Sequence, residues 1–91
     1  MDGRAARPQH RPVPRGLARP HPLLLKLGRR ITELRKEKGL SQEDLAHVAG
    51  VDRSYMSCIE RGVRNPSVLK LAVIARALNV SVADLFSPKQ P

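Results

Sequence analysis

The sequence predicts an all-α fold, a compact bundle of five short helices, and three observations lead there. Apolar residues recur at three- and four-residue spacing from Leu24 onward, the period of a helix with one buried face. Gly39, Gly50, Gly62 and Asn65-Pro66 interrupt that pattern at intervals, so each helix is short and has a defined stop. The third observation is volume. With one Phe, one Tyr and no Trp, a core must be filled by Leu, Ile, Val, Ala and Met, as in a small helical bundle and unlike an all-β fold.

The first helix is expected to start at Leu24, to carry Leu24, Leu27, Ile31 and Leu34 on one face, and to stop at Gly39. Ser41 stands three residues before Asp44, the spacing of a capping box, and Leu45, Ala46, Val48 and Ala49 supply the apolar face of a second helix that ends at Gly50. Asp52 suits the N-cap of a third helix over about residues 52–61, with Tyr55, Met56 and Ile59 inward and Gly62 closing it. Asn65-Pro66-Ser67 breaks the chain and caps a fourth helix whose stripe is Val68, Leu71, Ala72, Ile74, Ala75 and Leu78, with Asn79 suited to a left-handed stop. Ser81 and Asp84 then start one more short turn of helix, the fifth, carrying Val82, Leu85 and Phe86.

A chain of 91 residues has room for one core and one extension. Pro8, Pro12, Pro14, Pro20 and Pro22 block a continuing helix, and Arg4, Arg7, Arg11, Arg15 and Arg19 keep the segment solvated. Residues 1–22 are therefore expected to be a disordered basic arm, residues 23–87 the folded domain and residues 88–91 a frayed tail. The arm either tracks phosphates or enters a minor groove, or it is a passive leader. It is basic and precedes leucines, yet it lacks the apolar stretch and small-residue cleavage site of a signal peptide. No apolar run approaches the ~18 residues of a membrane span. The single cysteine, Cys58, cannot make an intrachain disulfide or a thiolate cage, which fits a reducing cytoplasm.

Seventeen Lys and Arg against eight Asp and Glu give a net charge of +9, and such a surplus on a small chain points to a polyanionic partner, nucleic acid first. The sequence has no phosphate-cradling glycine loop, nucleophile elbow or pair of carboxylates in a plausible cleft, which argues against an enzyme, and no cofactor is expected. Glu43 and His47 lie one turn apart but lack third and fourth ligands at recognisable spacing, so no metal site is expected either.

Only Gly50, Val51 and Asp52 join the second helix to the third. A glycine-containing turn this short makes two short helices cross steeply, which is helix-turn-helix geometry. At about 100° per residue, Ser54, Ser57 and Arg61 of the third helix lie opposite Tyr55, Met56 and Ile59, with Arg53 and Cys58 on the flanks. Such a small, polar, basic face suits a DNA major groove, where Arg53 offers two donors to guanine and Ser54 and Ser57 donate or accept. The same pattern also describes an ordinary solvated face. The Tyr55 hydroxyl could reach a phosphate or the ring edge a thymine methyl; Cys58 is either an oxidation-sensitive residue or a small spacer.

The runs Gly39-Leu40-Ser41-Gln42-Glu43-Asp44-Leu45-Ala46, Ala49-Gly50-Val51-Asp52-Arg53-Ser54-Tyr55-Met56-Ser57, Ile59-Glu60-Arg61-Gly62 and Arg64-Asn65-Pro66-Ser67 together resemble the Cro/lambda-repressor-like family, also called the xenobiotic response element family. The resemblance covers roughly residues 27–86, and some similar members are controller proteins of restriction-modification systems. It implies a lambda-repressor-like DNA-binding domain in which Gln42, at a positive helix end, bonds a phosphate. It also implies that Arg35 pairs with Glu60 as a structural tie, and that Arg61, Arg64 and Asn65 lie along the DNA backbone.

The expected function is a sequence-specific transcription regulator binding double-stranded DNA as a homodimer, because one helix rarely supplies enough affinity alone. Val82, Leu85 and Phe86 are the expected dimer contacts. The competing reading is an antitoxin-like or other protein-interaction module with secondary DNA binding, using the apolar residues Leu23 to Leu25 or Val82, Leu85 and Phe86.

Overall fold

The computed structural model describes residues 21–87; the expected arm over residues 1–20 and the tail at 88–91 lie outside the described residues. The elements are α1 (Pro22–Glu37), α2 (Gln42–Ala49), α3 (Arg53–Glu60), α4 (Val68–Ala77) and a single 3-10 turn at Ala83–Leu85. There is no strand among the described residues. Four α-helices thus replace the five expected. Ser81 and Asp84 do cap each other, the Asp84 N–H donating to Ser81 Oγ at 3.1 Å and the Ser81 N–H to Asp84 Oδ2 at 3.0 Å. Three residues later the chain reaches Ser87-Pro88, and a proline disfavours helical backbone before it, so one turn is all that forms.

The expected boundary at the start of α1 is also corrected. Pro22, assigned to the arm, is the first helical residue, since its fixed φ suits that position and its missing N–H is not needed there. His21 caps the helix by accepting the Leu23 N–H on Nδ1 at 3.0 Å. Leu27, Ile31 and Leu34 then point inward. Gly28 is where α1 meets the end of α3: a Cβ there would fall on the carbonyl oxygens of Ile59 and Glu60, so only glycine allows the two backbones to touch.

At the start of α2 the Asp44 N–H donates to Ser41 Oγ at 2.9 Å and the Ser41 N–H returns to Asp44 Oδ2 at 3.0 Å, a closed capping box. Leu45, Ala46 and Ala49 are buried, but Val48 is 61% exposed and does not belong to the core face. It lies about 60° outside the arc set by Leu45, Ala49 and Ala46. Gly50, at φ +74°, provides the left-handed stop that turns the chain into α3.

Met56 and Ile59 of α3 meet Leu71, Ile74 and Leu78 of the α4 region in the same core, which also takes in the fully buried Leu85. Ser67 caps α4 by accepting the Lys70 N–H at 3.1 Å, and Asn79 takes a left-handed φ of +60° after it. Val68, expected inside, is 73% exposed because it occupies the first helical position, ahead of where α4 meets the bundle. Among the described residues no helix is long and apolar enough to cross a membrane.

Candidate nucleic-acid interface

Helix α3 is held by its inner edge alone. Met56 and Ile59 are buried and Tyr55 is half-buried, whereas Arg53 and Ser54 are exposed and Ser57 partly so. The sequence places two small hydroxyl side chains and one arginine on the outward arc, and the short helix leaves that arc clear of the bundle. Asp52 takes the extended N-cap backbone, but its carboxylate makes no capping hydrogen bond.

Behind this face, one network joins three helices. Arg35 of α1 donates from Nε to Glu60 Oε2 at 2.7 Å and from Nη2 to Glu60 Oε1 at 3.0 Å, and from Nη1 to the Leu40 carbonyl at 2.8 Å. The Gln42 amide donates to the same Glu60 Oε1 at 3.0 Å. Gln42 is therefore engaged within the protein, on the carboxylate that Arg35 also holds. Burial pushes the Glu60 carboxyl up, but hydrogen bonds from Arg35, Gln42 and Thr32 outweigh it and hold the group below the ordinary glutamate range. Asp44 is likewise lowered, by the Ser41 backbone N–H first and the Ser41 hydroxyl second.

The loop from Gly62 to Ser67 exposes Arg64 and Asn65 while Gly62 and Pro66 are buried as its anchors. Gly62 has φ +77° and lies against the Leu25 backbone, so the loop leaves α3 in a fixed direction. Arg61 is exposed, and its Nη2 lies 3.4 Å from Cys58 Sγ. Arg64 stacks on Tyr55, with its guanidinium carbon 5.0 Å from the ring centroid, and Lys70 approaches the same ring at 5.9 Å. Lys70 was not singled out from the sequence: it stands fifteen positions from Tyr55, and no local spacing signals that contact.

The expected dimer residues are divided. Leu85 is fully buried and belongs to the core of its own chain, so it cannot face a second copy. Its turn packs on α1, where the Arg30 guanidinium donates to the Asp84 carbonyl at 3.0 Å. Val82 and Phe86 are partly exposed, and Val82 lines an open cleft of about 540 Å³ with Ala72, Arg76 and Val80. Glu43 and His47 gain no further ligands: among the described residues no group of three or more His, Cys, Asp or Glu side chains could hold a metal ion.

The chain is 44% identical over 62 residues to the uncharacterized HTH-type transcriptional regulator y4dJ of Sinorhizobium fredii, a match covering 68% of this chain and 80% of that protein. It is 47% identical over 64 residues to the HTH-type transcriptional regulator SinR of Bacillus subtilis, covering 69% of this chain but only 58% of SinR. Among solved structures, the restriction-modification controller protein C.AhdI of Aeromonas hydrophila superimposes with a TM-score of 0.68 at 49% identity, over 69% of this chain and 96% of that one. The crystal structure of SinR in complex with DNA superimposes with a TM-score of 0.64 at 47% identity, over 67% of this chain and 98% of that one. The helix-turn-helix family model matches residues 31–85, the span that holds the turn at Gly50–Asp52 and the exposed face of α3, and the chain belongs to that helix-turn-helix family.

Proposed function

We propose that the protein is a sequence-specific regulator of transcription that inserts α3 into the major groove of double-stranded DNA. The observation that carries this reading is the outward arc of Arg53, Ser54 and Ser57 on a helix anchored from behind by Met56 and Ile59. Short hydroxyl side chains allow close approach, and an exposed arginine in the first turn supplies the bidentate donor pair that distinguishes guanine. Gln42, Tyr55, Arg61, Arg64 and Asn65 flank that arc and position the domain on the backbone without reading sequence. The relatives named as transcriptional regulators and the relative solved with DNA support the assignment.

In this reading two copies act together on a two-fold related site, with recognition helices about 34 Å apart. The pairing surface is Val82 and Phe86 with the adjacent end of α4, and the working compartment is the cytoplasm. The deciding experiment is selection of bound duplexes from a random pool, followed by titration of the selected site and a scrambled duplex at several salt concentrations. An enriched two-fold motif bound more tightly than the scrambled duplex at every salt is expected. No enrichment would defeat base reading; failure to bind either duplex, with capture of a protein by the exposed Val68 and Leu69, would favour an interaction module.

A further inference from the structure

Tyr55 carries two cations that reach it from different elements. Arg64 comes from the loop after α3 and Lys70 from the first turn of α4, with the guanidinium carbon 5.0 Å and the ammonium nitrogen 5.9 Å from the ring centroid. Together they line an open cleft of about 430 Å³ that Gly50, Val51 and Asp52, the turn that leads into α3, also line. Neither cation has an ion-pair partner among the described residues. Among the described residues the ion pairs are Arg30 with Glu33 and Arg35 with Glu60, and no carboxylate lies within pairing distance of Arg64 or Lys70.

Two exposed like charges on long flexible stems normally diverge into water, and the negative face of the ring offsets only part of their repulsion. An anion lodged between them removes the remainder. We propose that Arg64 and Lys70, gathered on the ring of Tyr55, form a two-cation clamp for a single DNA phosphate beside the entrance to α3. The proposal rests on the DNA-binding reading above and adds to it a specific residue, Lys70, and a specific role for the Tyr55 ring as platform. Asp52, which also lines the cleft, directly precedes Arg53, so the clamp sits next to the first proposed base-reading position. The Asp52 carboxylate opposes entry of an anion, which makes the clamp weaker than its two cations alone would give.

The test uses the full chain, its selected duplex, and a set of duplexes each carrying one neutral methylphosphonate. Wild type should lose affinity at one particular phosphate in each half-site, and the loss should be roughly threefold larger at 50 than at 200 mM salt, the dependence that one released counterion gives. Lys70→Ala should lose a similar factor on the unmodified duplex, become less sensitive than wild type to the methylphosphonate at that position, where Arg64 alone remains, and lower the slope of log K against log salt by about 0.9. Its base preference should stay as in wild type, and Lys70→Arg should restore both affinity and the response to the modified phosphate. Tyr55→Leu, which keeps apolar bulk without a ring face, should also become less sensitive at that position, while Asp52→Asn should bind selected and scrambled duplexes more tightly by the same factor. A Lys70→Ala variant that remains as sensitive as wild type to every methylphosphonate would overturn the clamp and leave the DNA-binding reading intact. Wild type that binds neither duplex would instead defeat that reading, and the clamp with it.

Discussion

Arg35 and Glu60 are joined twice, Nε to Oε2 at 2.7 Å and Nη2 to Oε1 at 3.0 Å, tying the last turn of α1 to the last residue of α3. Their side chains are 12% and 5% exposed, so water does little to compete. The Leu40 carbonyl and the Gln42 amide complete the set, which fixes the end of the recognition helix against both neighbours. Removing the arginine strands a carboxylate in a partly desolvated place, and Arg35→Met should lower the unfolding free energy by about 3 kcal/mol. Urea denaturation measures it; a loss below half a kcal/mol would mean that the tie contributes geometry only.

The same pair makes stability depend on pH with a definite sign. The Glu60 carboxyl is held below its ordinary range in the folded state, so the unfolded chain binds the proton more readily than the folded one does. Its contribution is fully present above an unfolded value of roughly 4.3 and is lost as the pH falls through the lower folded value. Melting temperature from pH 7 down to pH 3 should therefore hold steady and then fall in the acid limb. Glu60→Gln should be less stable at pH 7 and show a shallower acid limb; an unchanged limb would assign the acid sensitivity elsewhere.

The elements of this fold were legible where a signal is local. Ser41 with Asp44, Gly39, Gly50 and Gly62 mark helix ends through interactions spanning a few residues, and sequence spacing captures those directly. What escaped was set by tertiary contact. Val48 has the same apolar character as Ala49, and only the direction of the α4 contact decides that one is exposed and the other buried. Leu85 looked like surplus apolar surface because α1 approaches it from more than fifty residues away. In the candidate site the outward residues of α3 followed from helical period, whereas the Gln42 to Glu60 bond and the Lys70 approach to Tyr55 join residues eighteen and fifteen positions apart that no pattern links.

Burial separates Leu85 from Phe86 although they are neighbours. Leu85 is fully enclosed, and Phe86 is only partly covered beside Lys26 and Arg30. Leu85→Asp should therefore unfold the domain or lower its stability by about 3–5 kcal/mol, since it places a charge in an apolar core. Phe86→Asp combined with Val82→Asp should leave a helical, cooperatively melting chain that sediments as a monomer and binds its two-fold site weakly. A double variant that remains dimeric would move the pairing surface to the exposed side of α4, where Leu69 and Val73 lie.

Arg53 and Arg64 are both exposed arginines, but they are presented differently. Arg53 begins α3 with no ion-pair partner among the described residues, in the turn that the proposed reading puts first into the groove. Arg64 lies beyond Gly62 with its guanidinium held over Tyr55, and in the proposed reading it meets a phosphate and no base edge. Arg53→Ala should remove a bidentate contact worth about 1–3 kcal/mol and relax the preference at one base pair. Arg64→Ala should weaken selected and scrambled duplexes by a similar factor and reduce the salt slope, leaving the preferred sequence unchanged. Both variants are to be titrated against the selected site and its single-base changes at several salt concentrations. If Arg53→Ala lowers affinity uniformly while Arg64→Ala alters which base is preferred, α3 does not lie in the major groove as proposed, and the loop after it is the reading element.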